Sequence, residues 1–362
     1  MDNTVVISTP PHVKSRSTTK RIMIDVIISL LPCAVAGIVF FGWQALVVEL
    51  TAVLSCVATE FVYYFIWKKG FAEKCKNAGY VCLNWWKQFD FTSVVTGLIL
   101  ALILPSRVNW YEVIIGSVFA IAIVKMLFGG TGKNLVNPAA AARVFMLLSF
   151  TVSMNVYVAA NFGPIMANSV DITTGATNLS GFLAVGEGTA LNPVDLLLGT
   201  GVAGCIGESC GLAIILGYIY LSVRKVIKWW QPLLFIAVFG LTATLIGGFA
   251  GDPDKLTGYY ANGYTFDISL FLPHILSGGV LFAAVFMFPD YVTSPKGVWG
   301  QVVYYVAGAV LVALLQFFTK KEVASFIIML MNLLVPLIDR YIRRKPFGYK
   351  REKKQKSVKE GK

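Results

Sequence analysis

The chain has 362 residues, of which 56% are hydrophobic and only 14% are charged, and its formal net charge is +12. These fractions lie outside the range of soluble domains and indicate an integral membrane protein. The Lys and Arg residues stand between and beyond the apolar runs, where they act as topology signals. The composition therefore excludes a nucleic-acid surface as the reason for the positive charge.

Seven apolar runs are long enough to cross a bilayer, which needs roughly 17 to 25 helical residues. They cover residues 21–43, 45–67, 139–160, 202–222, 230–250, 298–318 and 323–342. Three further runs, at 91–105, 110–128 and 270–289, are shorter or contain Gly and Pro. Counting all of them, the sequence predicts an all-α integral membrane protein with about ten transmembrane helices.

The cations support this topology. One side of the membrane collects the Lys and Arg residues before the first span, after the second span and in the carboxyl-terminal tail. The same side holds Lys125 and Lys133, which we take to follow the fourth span. We interpret that side as cytoplasmic, with both termini on it.

Two of the interrupted runs resemble each other, since Thr96–Pro105 and Ser277–Pro289 both begin with small residues including Gly and end in Pro. Each would be the third span of a half, and five spans per half require inverted repeats. The predicted organisation is an amino-terminal arm (1–20), a first five-helix repeat (21–160), an extracytoplasmic loop (161–201), a second five-helix repeat (202–342) and a basic tail (343–362).

The extracytoplasmic loop contains the segment Asp171–Thr177, which reads D-I-T-T-G-A-T. It resembles the flavinylation signature Asp-x-x-(Ser/Thr)-Gly-Ala-Thr of the family formed by Rnf D subunits and the B subunits of the Na⁺-pumping NADH:quinone reductase. The resemblance implies that Thr177 carries FMN through a phosphoester, in a motif with Asp171, Thr174, Gly175 and Ala176. The small Gly-Ala pair leaves the acceptor hydroxyl uncrowded. The alternative is an ordinary turn rich in Thr and Gly.

A second motif, Gly129–Ala139, reads G-G-T-G-K-N-L-V-N-P-A. Three glycines in four residues exclude a stable helix, and their N–H groups suit either an anion- or flavin-binding nest or a tight re-entrant turn. A P-loop is excluded because Asn134 follows Lys133 where Ser or Thr is needed. The stretch is similar to a Gly-rich and Asn-Pro-Ala segment of the same family, and its candidate cofactor-binding residues are Gly129, Gly130, Gly132, Asn134 and Asn137.

Two acidic residues are candidates for an ion pathway. Glu208 lies near the start of the sixth run, where an ionisable side chain is costly, and it is interpreted as a cation or proton ligand or as an interfacial carboxylate that caps the sixth helix. Asp290 lies at the predicted cytoplasmic end of the eighth run and is alternatively a helix-end carboxylate. Its segment resembles the family's Asp-Pro-Val-(Ser/Thr)-Ser-Pro, with Tyr291 in place of the usual Pro. We expect neither a metal cluster nor a disulfide framework.

The resemblance extends from about residue 20 to residue 345, and the short amino-terminal arm favours the Rnf D branch. It implies a urea-transporter-like fold, covalent FMN at Thr177 and a noncovalent riboflavin. It also implies a complex that couples electron transfer between ferredoxin and NAD⁺ to Na⁺ or H⁺ translocation, in which this subunit is not catalytic alone. The implied partners are the A, B, C, E and G subunits of Rnf, above all the FMN-bearing G subunit on the outer face, a flavin transferase and the lipid of a bacterial inner membrane, with no nucleic acid. The alternatives are a quinone reductase B subunit, a flavin-free urea-transporter-like channel or carrier, and a purely structural anchor.

Overall fold

The computed structural model describes residues 18–67, 85–86, 89–158, 193–199, 203–249, 271–276, 279–319 and 321–342. The flavinylation motif, with Asp171, Thr174, Gly175, Ala176 and Thr177, lies outside these residues. Its role therefore stays a prediction.

The described residues are mostly α-helical. The first half contains α1 (Thr19–Phe41), α2 (Trp43–Trp67), α3 (Thr92–Leu102), α4 (Trp110–Val118), α5 (Pro138–Ser149) and α6 (Thr151–Met154). The second half contains α7 (Pro193–Leu198), α8 (Gly211–Val223), α9 (Trp230–Phe249), α10 (Phe271–Leu276), α11 (Val280–Phe282), α12 (Val298–Thr319) and α13 (Ala324–Tyr341). A π-helix, Phe119–Met126, continues α4, and a second one, Ala283–Met287, continues α11.

Four helices among the described residues have the length and composition needed to cross a membrane, namely α1, α2, α12 and α13. Their bounds agree within a few residues with four of the predicted runs. Large apolar side chains on them are exposed, for example Leu54 at 65% and Phe318 at 75%, as expected for surfaces that face lipid. The chain is an all-α membrane protein.

Two of the predicted spans are shorter in the structure. The run 139–160 forms α5 only as far as Ser149 and then the short helix α6, and the run 202–222 becomes helical only at Gly211. Residues 203–210 are irregular because their backbone bonds elsewhere: the N–H groups of Ile206 and Gly207 donate to the carbonyls of Leu104 and Leu102. Part of the backbone of residues 203–210 is thus satisfied by the end of α3 and the residues after it, as non-helical backbone in a membrane protein requires.

Helix packing joins the two halves of the chain at two places. In the first, α1 packs on α8, and in the second, α5 packs on α13. Within the halves, α2 packs on α3 and α4, while α9 packs on α10 and α12. Gly97 permits the close approach of α3 to α2, because a Cβ there would lie 2.8 Å from the Cα of Val53.

Candidate functional site

A group of buried charged side chains lies where α5 meets the irregular segment before α8 and the connection between α12 and α13. Arg143, from α5, is only 2% exposed. Its Nη1 lies 3.2 Å from Oε1 of Glu208, and its Nη2 lies 2.6 Å from Oε2 of Glu322. The same Nη2 lies 3.3 Å from the Sγ of Cys205. We call these four residues the Arg143 cluster.

Local sequence explains how the cluster is positioned. Every residue from Pro138 to Val144 is buried, and the run of small alanines in it lets neighbouring elements approach α5 closely. Gly279 lies in the predicted break of the run 270–289, next to the carboxylates of Glu208 and Glu322. A Cβ at Gly279 would overlap carboxylate oxygens of Glu208 and Glu322. The break therefore provides the space in which the two carboxylates meet.

The structure contradicts one of the two interpretations of Glu208. The residue that caps α8 is Cys210, which makes no side-chain capping bond, and the carboxylate of Glu208 is buried against Arg143. The interpretation as a helix cap is therefore wrong, because α8 begins later than the sequence predicted.

The other charged members of the cluster were missed from the sequence. Arg143 gave a usable signal, since an Arg inside a predicted span requires a partner. Glu322 gave none, because it lies in an ordinary polar connection between two apolar runs.

A second buried ion pair lies in the first half. Lys125, in the π-helix, is 2% exposed, and its Nζ lies 3.2 Å from Oε1 of Glu60 in α2. The same Nζ donates to the hydroxyls of Thr92 (2.6 Å) and Ser93 (2.8 Å) in α3, and the Ser93 hydroxyl donates to Glu60. The interpretation of Lys125 as a topology signal after the fourth span is wrong, because the π-helix continues past it and its charge is used inside the protein.

The Gly-rich segment follows this π-helix as a turn. Gly129, Gly130 and Gly132 have φ values of 108°, 89° and 86°, in the left-handed region that favours glycine, which confirms the predicted non-helical conformation. The N–H of Gly130 donates to the carbonyl of Lys125, and the N–H of Lys133 donates to the carbonyl of Gly130. Backbone bonds of its own therefore hold the turn.

Two cavities adjoin this turn, and Thr131 contributes to both. The larger has a volume of about 650 Å³, and Gly129, Gly130 and four aromatic residues are part of its wall: Tyr63, Tyr64, Trp85 and Phe89. The smaller has a volume of about 120 Å³, and its wall includes Gly132, Asn134, Asn137, Asp290 and Tyr291. Sites for small organic ligands occupy roughly 300–1,000 Å³, a range that includes the larger cavity.

The two asparagines of the motif have different roles. Asn137 caps α5, since its Oδ1 accepts from the N–H groups of Ala139 (3.1 Å) and Ala140 (3.4 Å), and its Nδ2 donates to the carbonyl of Met287 at 3.5 Å. Asn134 instead has a buried Oδ1 that no hydrogen bond reaches from the residues described. Asn134 therefore offers an acceptor to a ligand, whereas Asn137 is used by the fold.

Asp290 lies in the turn after the second π-helix. Its Oδ1 accepts from the N–H of Val292 at 3.3 Å, and its Oδ2 accepts from the hydroxyl of Thr293 at 2.9 Å. Burial raises the pKa of the Asp290 carboxyl, while these hydrogen bonds act in the opposite direction. The geometry fits the helix-end interpretation. Asp290 also forms part of the wall of the smaller cavity, and no contact in the described part of the chain joins it to the Arg143 cluster.

Comparison with known proteins identifies the family of the chain. The profile of the NQR2, RnfD, RnfE family matches residues 6–348. The D subunit of the Na⁺-translocating ferredoxin:NAD⁺ oxidoreductase complex of Acetobacterium woodii is 35% identical, over 97% of this chain and 98% of the relative. The D subunit of the proton-translocating ferredoxin:NAD⁺ oxidoreductase complex of Clostridium ljungdahlii is 31% identical, over 96% and 98%. The D subunit of an ion-translocating oxidoreductase complex of Stutzerimonas stutzeri is 30% identical, over 92% and 93%. The chain belongs to the NQR2, RnfD, RnfE family.

Proposed function

We propose that this chain is the D subunit of an Rnf-type complex that couples electron transfer between ferredoxin and NAD⁺ to the translocation of Na⁺ or H⁺. The observation that carries the proposal is similarity along almost the whole chain to relatives that are named as D subunits of such complexes. These names favour the Rnf complex over the B subunit of the quinone reductase. One relative is named for Na⁺ and the other for protons, so the similarity leaves both ions open.

The proposal includes ten spans in two inverted five-helix halves, similar to the urea-transporter-like fold. Equivalent helix pairs pack in both halves, which supports it. The second and fourth spans of each half pack together: α2 packs on α4 in the first half, and α9 packs on α12 in the second. The fourth and fifth spans also pack together in each half: the π-helix after α4 packs on α5, and α12 packs on α13. The two contacts between the halves pair equivalent spans, first with sixth and fifth with tenth. Such pairing is expected of a two-fold relation.

In this arrangement both termini are cytoplasmic, the complex lies in a bacterial inner membrane, and the Thr177 loop faces outward, toward the FMN-bearing G subunit. A flavin transferase would attach the phosphate of FMN to the Thr177 hydroxyl, and the other Rnf subunits would supply and remove electrons. The bound flavin supplies the redox chemistry, and the protein sets its position and electrostatics. Glu208 and Asp290 are proposed to lie on the ion pathway.

A noncovalent riboflavin is proposed to bind at the Gly-rich turn. The buried Oδ1 of Asn134 supplies an acceptor that suits the donor groups of a flavin, and the adjoining wall of the smaller cavity supplies further hydrogen-bonding groups. Asn137 holds the turn at the start of α5 and so orients this wall. The aromatic wall of the larger cavity provides the surface on which a planar ring system stacks.

In-gel flavin fluorescence of the denatured protein, produced together with a flavin transferase, tests the covalent cofactor. The wild type should fluoresce, and Thr177→Ala should not. Thr173→Ala is the matched control, because position 173 is variable in the signature, and it should retain the fluorescence. A wild type without fluorescence, beside a flavinylated control protein that fluoresces, would favour a flavin-free channel or carrier instead.

A further inference from the structure

The Arg143 cluster contains one more acidic side chain than it contains cations. Arg143 provides one positive charge, while Glu208 and Glu322 each carry a negative charge when they are ionised. The side chains of the two acids are only 3% and 7% exposed, so water does little to screen them. A net charge in such surroundings is strongly unfavourable. Electrostatics alone therefore requires one further positive charge or one bound proton.

The geometry places the two carboxyl groups within reach of each other. Both have oxygens against Gly279, and the ligand atoms of Cys205, Glu208 and Glu322 all lie within 4.8 Å of one another. Glu322 Oε1 is buried, yet no hydrogen bond of normal geometry reaches it within the described ranges. Carboxyl groups this close in a buried site share a proton, because both cannot ionise.

We propose that the Glu208–Glu322 pair binds one exchangeable proton, with Arg143 as its fixed counter-charge. The inference deepens the proposed ion-pathway role of Glu208, on which its functional meaning rests, and it adds Glu322 and Arg143 to that role. With the proton bound, the cluster is neutral. Release of the proton leaves a net negative charge between elements of both halves of the chain, which favours a rearrangement or the entry of a cation.

The groups around the pair favour a proton over a metal ion. Arg143 donates to both carboxylates and to the Sγ of Cys205, so a metal ion would have to displace a guanidinium that is already bonded on three sides. The other titratable groups that face the pair, among the residues described, are Cys205 and Tyr157. Neither adds a positive charge.

The Lys125–Glu60 pair provides an internal comparison. It is also buried, and its cation also donates several hydrogen bonds, but it has one cation for one carboxylate. It is neutral without a shared proton. Glu60→Gln is therefore the matched control for Glu208→Gln and Glu322→Gln.

Infrared difference spectroscopy of the complete complex in lipid nanodiscs, titrated with base, tests the proposal. The wild type should lose the carbonyl stretch of one protonated carboxylic acid as the pH rises. Glu208→Gln and Glu322→Gln should each lack this change, because the remaining carboxylate pairs with Arg143. Glu60→Gln should retain it. Other buried acids, such as Glu49 and Glu112, contribute to every sample and cancel in the comparison.

Three results would overturn the proposal. The first is a wild type with no titrating band of this kind, a result that requires no variant to fold. The second is a loss of the band that is as large in both glutamine variants as in the wild type. The third is a thermal unfolding temperature of the wild type that rises with Na⁺, if both glutamine variants abolish that rise, since the pair would then hold a cation. Covalent flavin is measured on the same samples, so that the two proposals can fail separately. A flavinylated complex without the titrating band refutes only this inference. A flavin-free protein with the band refutes only the proposed function.

Discussion

Arg143 and Glu322 are separated by 179 positions in the chain, yet Nη2 of the first lies 2.6 Å from Oε2 of the second. The guanidinium comes from α5 in the first half and the carboxylate from the connection between α12 and α13 in the second. Because α5 also packs on α13, this ion pair lies where helices of the two halves pack together. The ion pair and the packing of α5 on α13 therefore hold the two halves together at the same contact.

Replacing Arg143 should destabilise the protein strongly. Arg143→Met leaves two buried carboxylates without their cation, and breaking a buried pair in this way costs about 3–5 kcal/mol of unfolding free energy. Reversible unfolding in mixed detergent measures the loss. The control is Arg224→Met, since Arg224 pairs with Asp25 at 3.0 Å but its side chain is 37% exposed, and a much smaller loss is expected. Equal losses in the two variants would contradict this account.

Adding one methyl group at Gly279 should disrupt the cluster. A Cβ there overlaps the carboxylates of Glu208 and Glu322, so Gly279→Ala forces both acids away from Arg143. The expected cost is about 1–3 kcal/mol, as for overpacking of other buried sites. Gly204→Ala is the matched control, because nothing lies within 4 Å of a Cβ at that position. Thermal unfolding of the two variants side by side decides the point, and the prediction is wrong if Gly204→Ala is the less stable one.

The long helices could be predicted from the sequence because an uninterrupted apolar run of about twenty residues is typical of a membrane span and rare elsewhere. The bounds of α1, α2, α12 and α13 follow from it directly. The break between α10 and α11 was predicted from Ser277-Gly278-Gly279, since small residues without helix propensity interrupt an apolar run. The Gly-rich turn was likewise predicted from its composition.

Contacts that depend on distant partners left no such signal. Residues 203–210 were assigned to a span, but the N–H groups of Ile206 and Gly207 bond to Leu104 and Leu102, which hydropathy does not report. Lys125 was interpreted as a topology signal, because the partner that lets a Lys be buried, Glu60, lies 65 positions away in the sequence. Glu322 was missed for the same reason, since its partner Arg143 lies 179 positions away.

Lys125 should be essential for the packing of α2 against α3. Lys125→Met leaves Glu60 with only the Ser93 hydroxyl as its described partner, and we expect a loss of about 3 kcal/mol of unfolding free energy. Lys133→Met is the control, because Lys133 is an exposed residue of the adjoining turn and its loss should have little effect. The measurement is again unfolding in mixed detergent. A Lys125→Met protein as stable as the wild type would mean that the desolvation cost of the pair cancels its attraction.

Asn134 should control the noncovalent flavin separately from the covalent one. Asn134→Leu removes the buried acceptor, and the loss of one hydrogen bond of about 1 kcal/mol reduces flavin affinity roughly fivefold. Acid precipitation releases noncovalent flavin into the supernatant, while in-gel fluorescence reports the covalent flavin that remains on the protein. Asn134→Leu should lower the first signal and preserve the second, and Thr177→Ala should do the reverse. If Tyr64→Ala abolishes the released flavin while Asn134→Leu leaves it unchanged, the flavin binds in the larger, aromatic cavity without using Asn134, and the proposed role of this acceptor is wrong.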